Sequence, residues 1–219
     1  MRFDASVPEI EKQQILQALD DIKNYGDSLQ RSTAKFIVQS AISVYIGLAE
    51  KVGGSGSVYI DRIIQAQWAI YRGGLSVLDA TRFIRLNIAR ETIDTGGQRG
   101  IEGTLIHEGK HAQDFARMIA SFSAGNEYKY FDPTAFQREY SAHLTAAFYL
   151  MRRGGEYAQE GIDLGLLYQS NGKISINRKG IRARLKNNYG LTLETPGKRL
   201  SNLSFPKIAP RDWRFWKLL

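Results

Sequence analysis

The sequence contains no cysteine and only three histidines in 219 residues. Without cysteine, the chain forms no disulfide bonds, offers no thiolate metal ligand and has no thiol nucleophile. A bound transition metal would therefore depend on histidine, aspartate and glutamate side chains. Hydrophobic residues make up 43% of the chain and charged residues 24%, a composition that excludes intrinsic disorder and supports a packed core.

Long hydrophobic runs are also lacking. The longest apolar region, residues 35–49, contains Lys35 and Gln39, which leave too short an uninterrupted stretch to span a bilayer. The first residues are charged and lack the apolar region of a secretory signal. We therefore expect a soluble protein without a membrane span, which either stays in the cytoplasm or is delivered by a signal-independent secretion system.

Positive charge is concentrated near the C-terminus. The whole chain carries +8, and residues 171–219 hold twelve Lys and Arg against two acidic residues, which is 12 − 2 = +10. Residues 1–170 therefore carry 8 − 10 = −2. The aromatic residues interleaved with this basic charge include Tyr189, Phe205, Trp213, Phe215 and Trp216. Such a segment is typical of nucleic-acid binding, and basic patches also engage acidic proteins.

Hydrophobic spacing predicts an α+β protein that is mainly helical with a small mixed sheet. In residues 84–88, Ile and Leu alternate with Arg85 and Asn87, as in a half-buried strand. A break at residues 95–97 precedes a helix predicted over residues 99–120. The apolar stripe of that helix consists of Ile101, Leu105, Ala112, Phe115 and Ile119. This stripe predicts that the helix packs against the sheet.

Two further stretches complete the outline around this helix. Asp132 and Pro133 match the cap and the first position of a helix that ends before Gly154. Residues 53–57, Gly-Gly-Ser-Gly-Ser, predict a loop. The predicted order is therefore a strand, the helix over residues 99–120, and a second long helix.

The first of these helices carries the sequence His-Glu-Gly-Lys-His at residues 107–111. A spacing of four residues places His107 and His111 on the same face of a helix, where both imidazoles can bind one metal ion. Glu108 then flanks the metal without binding it. Because zinc lowers the pKa of a bound water toward about 7, a carboxylate at this position can accept the proton of that water. The motif therefore predicts a hydrolytic zinc site.

Together with Glu139 in the sequence REYSAHLTA, this motif resembles the gluzincin class of zinc metallopeptidases, the thermolysin-like group. The layout LDATRFIRLN followed by GTLIHEGKH is also similar to small metallopeptidase domains of bacterial polymorphic toxins and effectors. The resemblance covers about residues 57–153. It implies a zincin-like fold, zinc as cofactor, Glu139 as third ligand and Glu108 as catalytic base. It also implies that the strand before the motif is an edge strand that pairs with an extended substrate.

His143 departs from the pattern of the resembled class, in which an aspartate often follows the glutamate ligand by four residues. It could replace Glu139 as a metal ligand, stabilise the oxyanion or hydrogen-bond a ligand as a catalytic auxiliary, or be a helix histidine without a role. A tyrosine is a second candidate for the oxyanion donor. The tyrosines considered are Tyr140, Tyr149, Tyr157, Tyr168 and Tyr189.

The leading hypothesis is a zinc-dependent endopeptidase with a protein or peptide substrate. It divides the chain into a metallopeptidase domain, residues 1–170 with its core at 57–153, and a basic C-terminal segment, residues 171–219. We expect an acidic partner or inhibitor protein to contact that segment, with nucleic acid as the less favoured partner. The alternatives are a nucleic-acid-binding module and a metal-binding pseudoenzyme in which Lys110 or His143 has replaced an essential residue.

Overall fold

The computed structural model describes residues 1–124 and 130–204 and confirms an α+β protein that is mainly helical. The helices are α1 (Glu9–Tyr25), α2 (Ser28–Gln39), α3 (Ala49–Val52), α4 (Ile63–Arg72), α5 (Val77–Ala80), α6 (Arg90–Ser123), α7 (Ala135–Arg153), α8 (Gly155–Asp163), α9 (Arg178–Tyr189) and α10 (Leu200–Ser204). The strands are β1 (Arg2–Phe3), β2 (Ser43–Gly47), β3 (Gly56–Ile60), β4 (Ile84–Ala89), β5 (Leu167–Ser170) and β6 (Lys173–Ile176). A 3₁₀ turn, Thr81–Phe83, leads into β4.

The main sheet is mixed and has the strand order β1-β2-β4-β3. Strands β1, β2 and β4 are parallel, whereas β3 runs antiparallel to β4. The predicted strand at residues 84–88 is confirmed as β4, but the expectation that it forms the edge is wrong. Leu86 pairs with Val44 on one side and with Val58 on the other. Alternating polarity indicates that the two faces of a strand have different surroundings. It does not indicate which strands lie on either side of it.

The edge next to β4 is β3, in a stretch whose first residues were predicted to be a loop. Gly56 and Ser57 begin this strand, and the Asn87 side-chain amide donates to Ser57 Oγ at 3.0 Å. Asn87 is thereby buried although its place in the alternation suggested a solvent-facing position. On the polar face of β4, Asn87 is buried and Arg85 half-buried, and β3 and β1 form the two edges of the sheet.

Helix α6 carries the histidine motif and runs through the centre of the fold. The predicted break is present as one non-helical residue, Gly97 with φ 53° and ψ −149°, between two helical segments. Every member of the predicted apolar stripe is buried. The helix extends to Ser123, three residues beyond its predicted end. The stripe therefore identified correctly the face of the helix that contacts the core.

Helix α7 is present as predicted, but Asp132 is not its N-cap residue. Thr134 caps the helix, accepting from the backbone N–H of Gln137 at 3.3 Å, while the Gln137 side chain accepts from Thr134 N. Asp132 instead accepts hydrogen bonds from the backbone N–H and the hydroxyl of Ser201. Because residue 201 is distant in sequence, local spacing could not distinguish this use of Asp132 from capping.

A buried carboxylate anchors α6 to the helices that follow it. Glu102 is completely buried and accepts hydrogen bonds from the hydroxyls of Tyr149 at 2.6 Å and Tyr157 at 3.1 Å. Arg153 Nε lies 3.5 Å from the same carboxylate. Burial raises the pKa of Glu102, while these partners lower it in part. The network holds α6, α7 and α8 in one arrangement.

A second, smaller core lies between α7, α8, the β5–β6 hairpin and α9. Ile181 and Leu185 of the basic helix α9 are buried there, against residues that include Phe136 and Leu150 of α7. The aromatic residues Phe205, Trp213, Phe215 and Trp216 of the predicted basic tail lie outside the described residues. In the part of the chain that the structure describes, no helix is both long enough and apolar enough to cross a membrane.

Candidate metal centre

Three predicted ligand side chains converge between α6 and α7. His107 Nε2 and His111 Nε2 lie 3.1 Å apart. Glu139 places one carboxylate oxygen 3.4 Å from His107 Nε2 and the other 3.3 Å from His111 Nε2. Ligand atoms that each lie 2.0–2.1 Å from a tetrahedral zinc ion are about 3.3 Å apart. Each of the three distances is therefore close to the separation of two zinc ligands, with Glu139 presenting a different oxygen to each histidine.

Opposing effects act on the Glu139 carboxylate. Burial by itself would raise its pKa, but the hydrogen bonds with His107 and His111 outweigh that effect and hold the pKa well below the ordinary value. Glu139 is therefore ionised at neutral pH, as an oxygen ligand must be. About 14% of its side chain is exposed, so the cluster is open to solvent on one side.

His143 extends the same cluster, one turn beyond Glu139 on α7. One donor atom each from His107, Glu139 and His143 lies within 4.8 Å of the others, so this trio could also hold a metal ion. The ring centroid of His143 lies 4.6 Å from that of His107. Glu139 belongs to both trios, so the geometry places its carboxylate at the metal site in either case, with His143 beside it.

The protonation state of His143 is set by its surroundings. Burial, and then repulsion from His107 and Arg184, lower the pKa of His143 to about 3. Its Nε2 atom is buried and has no hydrogen-bond partner among the described residues. A neutral imidazole with an unpaired buried nitrogen suits a ligand or a hydrogen bond to a bound group.

Glu108 lies beside the cluster without joining it. Burial raises the pKa of Glu108 to about 7, although the nearby charge of His107 lowers it in part. A group with this pKa can accept and release a proton near neutral pH. Its Cγ packs against the edge strand, where a Cβ on Gly56 would stand only 2.8 Å away. The carboxylate is therefore fixed between α6 and β3.

Two further charges surround the motif. The ammonium group of Lys110 pairs with Asp114, which is almost fully buried, so Lys110 points along α6 toward its own ion pair. Arg138 is also buried, and its Nε has no hydrogen-bond partner among the described residues. Its charge lowers the pKa of Glu108. Lys110 therefore has a structural role here, and Arg138 adds positive charge beside the base.

One of the five predicted candidate tyrosines is brought to the metal cluster by α9. The Tyr189 ring centroid lies 6.3 Å from that of His143. Burial and the nearby Glu139 charge raise the pKa of Tyr189, so its hydroxyl keeps its proton. The hydroxyls of Tyr149 and Tyr157 are engaged with Glu102 instead.

The remaining two tyrosines have other surroundings. Arg178 donates to the Tyr140 hydroxyl at 3.4 Å, and Tyr168 is exposed on β5. Sequence reasoning did not single out Tyr189, nor did it find Arg138 or Gly56. Nothing in the local pattern marks these three residues, because each reaches the site through tertiary packing.

Comparisons with protein-family models, with curated proteins and with solved structures found no match for this chain.

Proposed function

We propose that the protein is a zinc-dependent endopeptidase. The observation that carries the proposal is the convergence of His107, His111 and Glu139 at separations of 3.1–3.4 Å, with Glu108 buried beside them. Three protein ligands leave a fourth position open, which is the arrangement of a catalytic rather than a structural zinc site. The unpaired buried nitrogen of His143 at the same place is consistent with a bound group.

In this proposal His107, His111 and Glu139 hold the metal. Bound zinc supplies a Lewis acid for the peptide carbonyl and lowers the pKa of water. Glu108 accepts the proton of the attacking water and then passes it to the nitrogen of the leaving amine. In the metal-free site, burial raises the pKa of Glu108 to about 7, close to the pH at which it would accept and release the proton.

We assign Tyr189 and His143 to the surroundings of the peptide carbonyl oxygen, which gains negative charge in the transition state. Tyr189 retains its proton and stands beside His143 at the cluster. We assign the Tyr189 hydroxyl as a donor to that oxygen, because donors directed at developing charge stabilise the transition state. In this assignment, the neutral imidazole of His143 orients the Tyr189 ring that lies beside it.

Strand β3 provides the surface on which an extended peptide would align. It forms an edge of the sheet, so one side of its backbone is free of strand partners among the described residues. Gly56 of this strand packs directly on Glu108. A peptide that adds to the edge by backbone hydrogen bonds would pass the catalytic base. From the resemblance of its motif, we also propose that the protein is a bacterial toxin or effector metallopeptidase.

The test is the substitution Glu108→Gln. We expect this variant to bind zinc as the parent does, measured by elemental analysis, and to lose peptide hydrolysis, measured by mass spectrometry on a proteome-derived peptide library. Glu50→Gln, at an exposed position on α3, is the matched control and should cleave normally. Equal cleavage by Glu108→Gln, or a folded parent that binds no zinc, would contradict the proposal.

A further inference from the structure

A cleft of about 660 Å³ lies on the part of the molecule formed by α4, the turn after it and the 3₁₀ turn before β4. It is lined by residues that include Arg62, Gln65, Trp68, Arg72, Arg82 and Phe83. We call it the arginine cleft. Its volume is in the range of pockets that take small organic ligands.

The charge of the arginine cleft is unusual for this part of the chain. Residues 1–170 carry a net charge of −2, yet three arginines and no acidic residue line this cleft. Within the described ranges 1–124 and 130–204, the side chains of Arg62, Arg72 and Arg82 form no salt bridge or hydrogen bond, although the charge of Arg82 lowers the pKa of nearby Asp79. Guanidinium groups bind phosphate through paired N–H donors. Three guanidinium groups without a salt bridge around one concavity therefore favour a phosphorylated ligand.

The cleft also presents aromatic surface. Trp68 is 58% exposed, and Tyr71 contacts its ring edge-on with centroids 6.0 Å apart. The guanidinium of Arg82 lies 4.8 Å from the ring centroid of Phe83. A tryptophan that is this exposed offers a flat face on which a planar ring can stack. Exposed aromatic faces among basic side chains are the combination found where proteins bind single-stranded nucleic acids.

We propose that the arginine cleft binds a nucleoside phosphate, with the phosphate held by the arginines and the base stacked on Trp68. The concave shape and the exposed ring of Trp68 favour this ligand over the carboxylate side chains of an acidic peptide, which carry no ring to stack. The same chemistry is offered by a free nucleotide and by a single-stranded nucleic acid. The residues that line the cleft precede the basic C-terminal segment, residues 171–219, in the sequence.

The arginine cleft lies far from the metal centre. Gly74, in the turn that borders the cleft, donates its backbone N–H to Ser123 O at 3.2 Å, at the C-terminal end of α6. Ser123 is separated from His107 by ~24 Å along the helix axis. Substitutions in the cleft should therefore leave zinc binding unchanged, and the inference does not depend on the proposed peptidase activity.

The experiment measures binding of the full chain to a short fluorescein-labelled oligothymidylate by fluorescence anisotropy over a range of salt concentrations. The cleft variant is Arg62→Gln, Arg72→Gln, Arg82→Gln. Its matched control is Arg31→Gln, Lys35→Gln, Lys51→Gln, which removes the same charge from exposed positions outside the cleft and outside the basic C-terminal segment. Circular dichroism and zinc content verify that each variant is folded.

We expect the cleft variant to lose most of its affinity and to reduce the slope of log affinity against log salt by about 2, because each lost phosphate contact contributes about 0.7. The control should retain both the affinity and the slope. Trp68→Ala should weaken binding by roughly 5- to 100-fold without changing the slope, since stacking is not a charge effect. Trp68→Phe should restore part of the affinity.

Other outcomes would overturn the inference. Equal loss in the cleft variant and in the control variant would show diffuse attraction to basic surface. An unchanged affinity in Trp68→Ala would show that no base stacks on Trp68. Binding to anionic vesicles without binding to the oligonucleotide would show that the cleft binds a lipid surface and not a nucleoside phosphate. Competition measurements decide whether the ligand is a free nucleotide or a single-stranded nucleic acid. Displacement of the oligonucleotide by uridine monophosphate would identify a nucleotide site, whereas displacement only by a longer unlabelled strand would identify a nucleic-acid site.

Discussion

A Cβ placed on Gly56 would lie 2.8 Å from Glu108 Cγ, so the edge strand and the proposed catalytic base touch with no room for a methyl group. The same Cβ would lie 2.7 Å from Thr104 Cγ2. The strand and α6 can therefore approach this closely only because residue 56 is glycine. The relationship makes the position of Glu108 depend on a residue that is neither polar nor part of the motif.

Gly56→Ala should displace the Glu108 side chain and lower kcat by roughly 10- to 100-fold, since small misplacements of a reacting group are costly. Zinc content should stay at the parental value, because no ligand is touched. The measurement is steady-state hydrolysis together with elemental analysis. Gly96→Ala is the control, since a Cβ there meets nothing within 4 Å. Parental activity in Gly56→Ala would show that Glu108 does not depend on this contact.

The third ligand is assigned by comparing Glu139→Ala with His143→Ala. The parent should bind about one zinc ion per chain. Glu139→Ala should lose it, because its carboxylate contacts both motif histidines. His143→Ala should keep most of it. Zinc loss in His143→Ala with retention in Glu139→Ala would move the ligand role to His143 and contradict the gluzincin-like ligand set.

The raised pKa of Glu108 predicts a pH dependence of folding in the metal-free protein. Its pKa is about 7 in the folded state against 4.5 ordinarily, so the folded state holds a proton that the unfolded chain releases between these values. This contribution to stability is fully present below pH 4.5 and is lost as the pH rises to about 7, with an upper bound of roughly 3 kcal/mol.

Glu108→Gln lacks this titration and should gain stability relative to the parent across the same pH window. The measurement is urea unfolding of both proteins after metal removal with a chelator, at several pH values. A stability difference between variant and parent that does not change with pH would show that Glu108 is not desolvated in the folded state.

Tyr189→Phe should lower kcat on the order of 100-fold if the hydroxyl donates to the carbonyl oxygen in the transition state. KM and zinc content should change little, because the ring remains in place beside His143. Tyr168→Phe, at an exposed position on β5, is the control and should be silent. A parental kcat in Tyr189→Phe would remove the hydroxyl from the mechanism.

Tyr149→Phe should destabilise the fold by about 1–3 kcal/mol, because the buried carboxylate of Glu102 loses a hydrogen bond of 2.6 Å. Zinc stoichiometry should be retained in the folded variant. Thermal or urea unfolding gives the difference in stability, with Tyr168→Phe again as control. Loss of catalysis at unchanged stability would indicate that Tyr149 acts in the metal site and not in the hydrogen-bond network of Glu102.

Much of this arrangement could be anticipated from local pattern. The spacing of His107 and His111 placed both on one helical face, and the apolar stripe of α6 identified its buried side. The following helix was predicted with Glu139 as the third ligand, and the structure brings this carboxylate to both histidines. The wrong expectations concern partners: Asp132 binds Ser201 and does not cap α7, and β4 lies inside the sheet.

The sequence by itself determined the residue types of the site and their periodicity, because a helix returns a side chain to the same face every three or four residues. Only the tertiary structure decided that β3 is the edge, that Gly56 packs on Glu108 and that α9 brings Tyr189 to His143. These contacts join segments far apart in the chain. They depend on how whole faces of helices and strands pack, which periodicity within one segment does not encode.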